Sequence, residues 1–165
     1  MLPSIKRPAT ERRGPQAGTG DSLGPAPNFG YPARVAPFGE LDYLYTPSDD
    51  VAKDAKYFTE VLGGKLAFAV EGMGARVAMI ELGDGPPHVL LTDHLDSDRT
   101  IYIYRVKNLA RAVAALKKRG LKKESRLEIP MGPCSSFATP GGQRIALYEA
   151  SRPGVLQHFL GRKDF

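Results

Sequence analysis

At 165 residues and 42% hydrophobic content, the chain can bury a core without disulfides or a structural metal, and its length suits one domain plus appendages. The single cysteine, Cys134, rules out an intramolecular disulfide. No apolar run is long enough to span a bilayer, and the N-terminus has no charged-then-apolar leader, so a reducing, cytoplasmic setting is expected. The net charge of +5 is unevenly spread: Lys6, Arg7, Arg12, Arg13 and Arg34 against Glu11 and Asp21 put +3 of it in residues 1–37.

Residues 1–37 also carry seven of the fourteen prolines and five glycines, with few side chains able to form a core. Such a segment cannot offset its own ordering entropy and is expected to be a tail, or an arm laid over a partner. From Leu41 to Thr46 the composition turns strand-like. A helical pattern follows from Val51 to Leu62: Asp49 or Ser48 can cap it, Val51, Ala55, Phe58 and Leu62 form one apolar stripe, and Gly63 stops it. Strands are predicted over 65–70, 76–82 and 88–92, separated by Gly72-Met73-Gly74 and by Gly83-Asp84-Gly85-Pro86-Pro87.

The same order then recurs. Thr100 to Val106 reads as a strand, and Asn108 caps a helix from Leu109 to Arg119 with Leu109, Ala112, Val113 and Leu116 on its apolar side. Gly120 ends that helix, and strands are predicted near 122–127, 135–138 and 144–149. A closing helix over about 153–160 has Val155, Leu156 and Phe159 on one face. Lys117, Lys118, Arg119, Lys122 and Lys123 crowd the end of the second helix, where cations suit the helix dipole. No aromatic residues interleave with them, so nucleic acid is not an expected partner. Two copies of strand-helix-strand-strand-strand, with helix starts 58 residues apart, define an α+β chain of two tandem βαβββ modules, 38–94 and 95–150, with 151–165 as a C-terminal helix.

Two phrases stand out within this order: Tyr57-Phe58-Thr-Glu-Val-Leu-Gly-Gly64, and Phe137-Ala-Thr-Pro-Gly-Gly-Gln-Arg-Ile-Ala-Leu-Tyr-Glu149. With the repeat, they resemble the vicinal oxygen chelate superfamily, which includes glyoxalase I, extradiol dioxygenases and the fosfomycin- and bleomycin-resistance proteins. The resemblance covers about residues 38–150. It implies that each module curls into a half-open barrel and that the two together form a cleft holding a metal or a small molecule. It also implies a homodimer, to which the N-terminal arm and the closing helix could contribute.

In that superfamily metal ligands come from the first and last strands of each module. The corresponding positions here are Tyr43 and Ile101 in the first strands and Leu90 and Ala146 in the last. A divalent ion wants imidazole nitrogen or carboxylate oxygen; Leu90, Ile101 and Ala146 supply no donor, and Tyr43 is not a usual ligand. A strand register shifted by one residue would present Asp42, Tyr102 and Leu91 instead, which also build no site. His88 shares the face of Leu90 by strand alternation but lacks evident partners.

What alternation does gather is aromatic and polarizable: Tyr43 with Tyr45, Ala146 with Tyr148. The segment from Ile129 to Cys134 is expected as a loop at the cleft mouth, with Met131 and Cys134 lining an apolar pocket. The predicted ligand-binding set is therefore Tyr43, Tyr45, His88, Leu90, Ile101, Met131, Cys134, Ala146 and Tyr148. His88 and Glu128 are the only general-base candidates, and Cys134 has no evident activating neighbour. The glycine-rich turns lack the strand-to-helix setting of a phosphate loop. These features predict a glyoxalase/bleomycin-resistance-like protein that holds a planar or aromatic small molecule, without metal or other cofactor. The alternative is a metal-dependent lyase, isomerase or dioxygenase of the same superfamily.

Overall fold

The computed structural model describes residues 37–95 and 98–165. The expected tail over 1–37 therefore lies outside the described residues, save Pro37.

The first module consists of β1 (Leu41–Pro47), α1 (Val51–Glu60), β2 (Lys65–Gly72), β3 (Ala75–Glu81) and β4 (His88–Thr92). The second repeats it with β5 (Ile101–Val106), α2 (Leu109–Lys118), β6 (Ser125–Ile129), β7 (Gly132–Ala138) and β8 (Arg144–Glu149). All eight strands form one open sheet in the order β2-β3-β4-β1-β5-β8-β7-β6. Each module closes on itself by pairing its first strand with its last in parallel, β1 with β4 and β5 with β8. The modules join through the antiparallel pair β1–β5, in which Tyr43 lies opposite Ile103 and Tyr45 opposite Ile101. Tyr43 and Ile101 are equivalent by the repeat, as are Tyr45 and Ile103, so this crossing sits on a local two-fold axis.

Both helices pack on one face. Val51 and Ala55 of α1 bury against Ala69, Ala78, Ile80, Val89 and Leu91. Ala112 of α2 meets Val106 and Leu147, with Leu109, Leu116 and Phe38 alongside. The opposite face has no helix, yet it is just as buried: Tyr43, Phe68, Met79, Leu90, Ile101, Ile103, Cys134, Ala146 and Tyr148 belong to one apolar cluster. A flat sheet of eight strands would be about 33 Å across at the usual strand spacing and would leave that face wet. No helix among the described residues covers that face, and its burial fits a sheet curled around its own side chains, the inside of the expected half-open barrel.

Several local expectations are corrected. Asp50 caps α1, accepting from the Lys53 N–H at 3.0 Å, while Ser48 donates to Asp54. The helix ends at Glu60, so Leu62 falls past the last turn and is exposed. Asn108 caps α2 as expected, accepting from Arg111 at 2.8 Å. The segment 129–134 is no loop: Pro130 and Met131 form a two-residue turn between paired Ile129 and Gly132. Gly132, at φ 146°, permits this, because a Cβ there would lie 2.3 Å from the Glu149 carbonyl oxygen.

The closing segment is one 3₁₀ turn, Val155–His158, instead of an α-helix. Gly154 at φ 79° and Gly161 at φ 81° bracket it and turn the chain back onto β2. There Gly161 donates to Ala67 O, Ala69 to Arg162 O and Asp164 to Ala69 O, each at 2.8 Å. Phe159 packs on Phe68 with ring centroids 5.7 Å apart, and Phe165 joins the α1 layer. The last five residues thus seal one edge of the sheet. Removing residues 161–165 should cost about 2–4 kcal/mol, from three backbone hydrogen bonds plus the Phe165 contact. Chemical denaturation should show the loss, and hydrogen exchange should show protection falling first at the Ala69 amide.

Candidate functional site

The predicted site residues converge on the cleft face. By register, Tyr43 lies beside His88 on one side and Ile103 on the other, and Ile103 lies beside Ala146. In the next row Leu90, Tyr45 and Ile101 lie side by side. Tyr148 and Cys134 face each other across β8 and β7. Met131, in the β6–β7 turn, packs on the edge of this cluster, as do Tyr45, Leu95 and Phe159. Glu128 does not join them. It lies on β6, at the far edge of the sheet from His88, and pairs with Arg152 at 2.9 Å.

The positions where the superfamily resemblance implies metal ligands hold Tyr43, Leu90, Ile101 and Ala146, all buried. Their chemistry does not fit a divalent ion, and among the described residues no group of three or more His, Cys, Asp or Glu could hold one.

The sequence reading missed the polar centre of this face. A bulge in β1 between Leu41 and Tyr43 leaves Asp42 as an extra residue in the β1–β5 ladder. Strict alternation would send Asp42 to the helix side; the bulge instead lets its carboxylate meet the cleft-face Tyr148. Tyr148 donates from its hydroxyl to Asp42 Oδ2, and Arg105 Nε stands 3.3 Å from the same oxygen. Arg105 also pairs with Glu40. Asp42 is 6% exposed and Tyr148 3%, so the carboxylate is compensated from two sides, as a buried charge must be. The available signal was a lone Asp within an otherwise apolar strand and an Arg in the neighbouring one. A second bulge, between Leu66 and Phe68, similarly turns Phe68 inward.

Electrostatics fix what these groups can do. Burial, reinforced by the hydrogen bond to Asp42, pushes the Tyr148 phenol far above its ordinary value. Burial, then the Asp42 charge, raises Tyr43, and burial is also the main cause of the rise at Tyr45. Asp42 in turn raises Arg105. Burial holds the Cys134 thiol up at about 11, so it is a neutral core group at physiological pH. His88 differs from all of these. It is partly exposed, its ring lies 6.4 Å from that of Tyr43, and its Nδ1 is buried without a hydrogen-bond partner. His94, beyond β4, is engaged by Thr92 Oγ1 at 2.7 Å and lies against Tyr45. A concavity of about 500 Å³ lies between α2 and the β6–β7 pair, lined by Leu109, Val113, Leu127 and Pro133 among others.

No protein-family model matches the sequence, and no curated protein does. Solved structures do match in fold. Methylmalonyl-CoA epimerase from Mycobacterium tuberculosis superposes with a TM-score of 0.59 at 17% identity, over 71% of this chain and 91% of that one. The Streptomyces coelicolor epimerase in complex with 2-nitronate-propionyl-CoA gives 0.55 at 15% identity, over 69% and 99%. A hypothetical protein from Bacillus halodurans gives 0.55 at 14% identity, over 70% and 96%. The paired-βαβββ open sheet therefore matches the glyoxalase/bleomycin-resistance-like fold of these epimerases. At these identities the likeness is one of fold alone.

The shifted phenols and thiol set an alkaline limit on stability. Tyr43, Tyr45 and Tyr148 keep their protons in the folded state at pH values where the unfolded chain releases them, above about 10. The folded state then binds more protons than the unfolded one, so stability falls as pH rises further. The denaturation midpoint should hold steady through neutral pH, begin to drop above about 9 where the unfolded thiol ionises, and drop further beyond about 10, with a shallower drop in Tyr148→Phe.

Proposed function

We propose that this protein binds a planar or aromatic small molecule on the cleft face, without a resident metal, and that His88 supplies the polar contact that orients it. The observation carrying this reading is the unpartnered, buried Nδ1 of His88 next to the Tyr43 ring. A buried polar atom left without a hydrogen bond costs about 1–3 kcal/mol, and such orphans mark places where a ligand group completes the set. Beside it the partly exposed Tyr45 offers flat apolar surface, backed by the buried rings of Tyr43 and Tyr148.

The neighbouring groups favour binding over chemistry. The Tyr148 hydroxyl is committed to Asp42, the Cys134 thiol is protonated, and Glu128 is paired elsewhere. Methylmalonyl-CoA epimerase shares the fold, and one such enzyme has been solved in complex with 2-nitronate-propionyl-CoA. The isoleucine, leucine and alanine at the cleft positions here argue against a metal-dependent lyase, isomerase or dioxygenase on this face.

The sequence has no tryptophan, and Tyr43, Tyr45 and Tyr148 lie on the cleft face, so the part of the tyrosine emission lost in their Phe variants reports on the cleft. Titration with naphthoates and naphthoquinones should give saturable quenching and a raised melting temperature. His88→Ala should weaken the binding about tenfold, the equivalent of one hydrogen bond. Metal analysis of the purified protein should find less than one equivalent of Zn, Ni, Mn or Fe; a stoichiometric metal lost in His88→Ala would overturn the reading.

A further inference from the structure

The sheet has two edges, and they are treated differently. At β2 the closing residues lie along the strand and hydrogen-bond to it. At β6, among the described residues, no segment pairs with the outer edge. The layers differ as well: α1 packs on β2, β3 and β4, whereas α2 packs chiefly on β7 and β8 and leaves a concavity beside β6. In consequence Ser125, Arg126, Leu127 and Glu128 are all exposed. A strand exposed on both faces with one free ladder edge is a template for another strand.

We propose that β6 is the docking edge for a second copy of this chain, pairing antiparallel with its own counterpart about a two-fold axis at Leu127. The backbone geometry selects that register. Ile129 and Gly132 close a two-residue hairpin, and Pro133, opposite Glu128, has no N–H to give. In the antiparallel alternation, Leu127 therefore exchanges its hydrogen bonds with Cys134, and the backbone groups of Arg126 and Glu128 point outward. Outward-pointing residues pair with outward-pointing residues, so Arg126 of one copy falls opposite Glu128 of the other, twice across the axis, with the two Leu127 side chains meeting on it. The strand Ser125-Arg126-Leu127-Glu128-Ile129 is thus complementary to itself in charge and self-matched in its exposed leucine.

The present partners of these side chains do not oppose this. Arg126, 75% exposed, lies 3.3 Å from Glu124, and Glu128, 62% exposed, lies 2.9 Å from Arg152. Exposed pairs of this kind are weak and can be shared with a facing charge. The closing segment, by contrast, is committed to the β2 edge of its own sheet.

Sedimentation equilibrium of the full chain tests the proposal. The wild-type protein should dimerise reversibly. Arg126→Glu and Glu128→Arg, made singly, each set like charges opposite one another in both symmetry-related pairs and should weaken the dimer on the order of tenfold or more. Combining the two exchanges the charges and should restore association. Far-UV spectra and melting curves of the single variants in their monomeric form check that they fold. A wild-type chain that stays monomeric, as it would if another part of the same chain covered β6, overturns the proposal. So does a dimer that neither single variant weakens, or a double variant no better than the single ones.

Discussion

Everything on the cleft face depends on the antiparallel pairing of β1 with β5. It is the one ladder that crosses between modules, and it sets Tyr43 against Ile103 and Tyr45 against Ile101. Each module binds its last strand to its first, so this single junction brings β4, β1, β5 and β8 together as the centre of the sheet. A shift of one residue in that ladder would turn the tyrosines to the helix side and the helix-packing residues inward.

The bulge at Asp42 is the point where this regular junction is bent to a purpose. It keeps Leu41 opposite Tyr104 on the helix side while Tyr43 faces the cleft. It also releases Asp42 to close a polar contact with Tyr148 and Arg105. The resulting network ties both modules together across β1, β5 and β8. It sits on a face that is otherwise hydrocarbon and aromatic, where a half-satisfied carboxylate would be costly. His88 stands apart from it as the polar group on this face that the protein itself leaves unsatisfied.

The duplication is not symmetric at its rims. In the first module the chain terminus lies along β2 and Phe165 fills in beside α1. The second module has no equivalent segment among the described residues, and both a concavity under α2 and a bare β6 remain.

The sequence by itself determined the two-module order, both helices with their apolar stripes save Leu62, the stops at Gly63 and Gly120, and the face occupied by Tyr43, Tyr45, Leu90, Ile101, Ala146 and Tyr148. These are local facts: periodicities of two and 3.6 and the steric freedom of glycine act within a few residues. The residues at the positions where the resemblance implies metal ligands, Tyr43, Leu90, Ile101 and Ala146, were likewise legible, since that rests on residue identity. Only the tertiary structure decided that Asp42 joins the cleft and that Glu128 and His88 lie on separate halves of the sheet. It likewise decided that Cys134 is a core strand residue and that the closing segment covers one edge while β6 stays open. Each of these depends on which strand lies next to which, and on a register that one inserted residue can change. Strand pairing joins residues dozens of positions apart, and no local pattern along the chain records it.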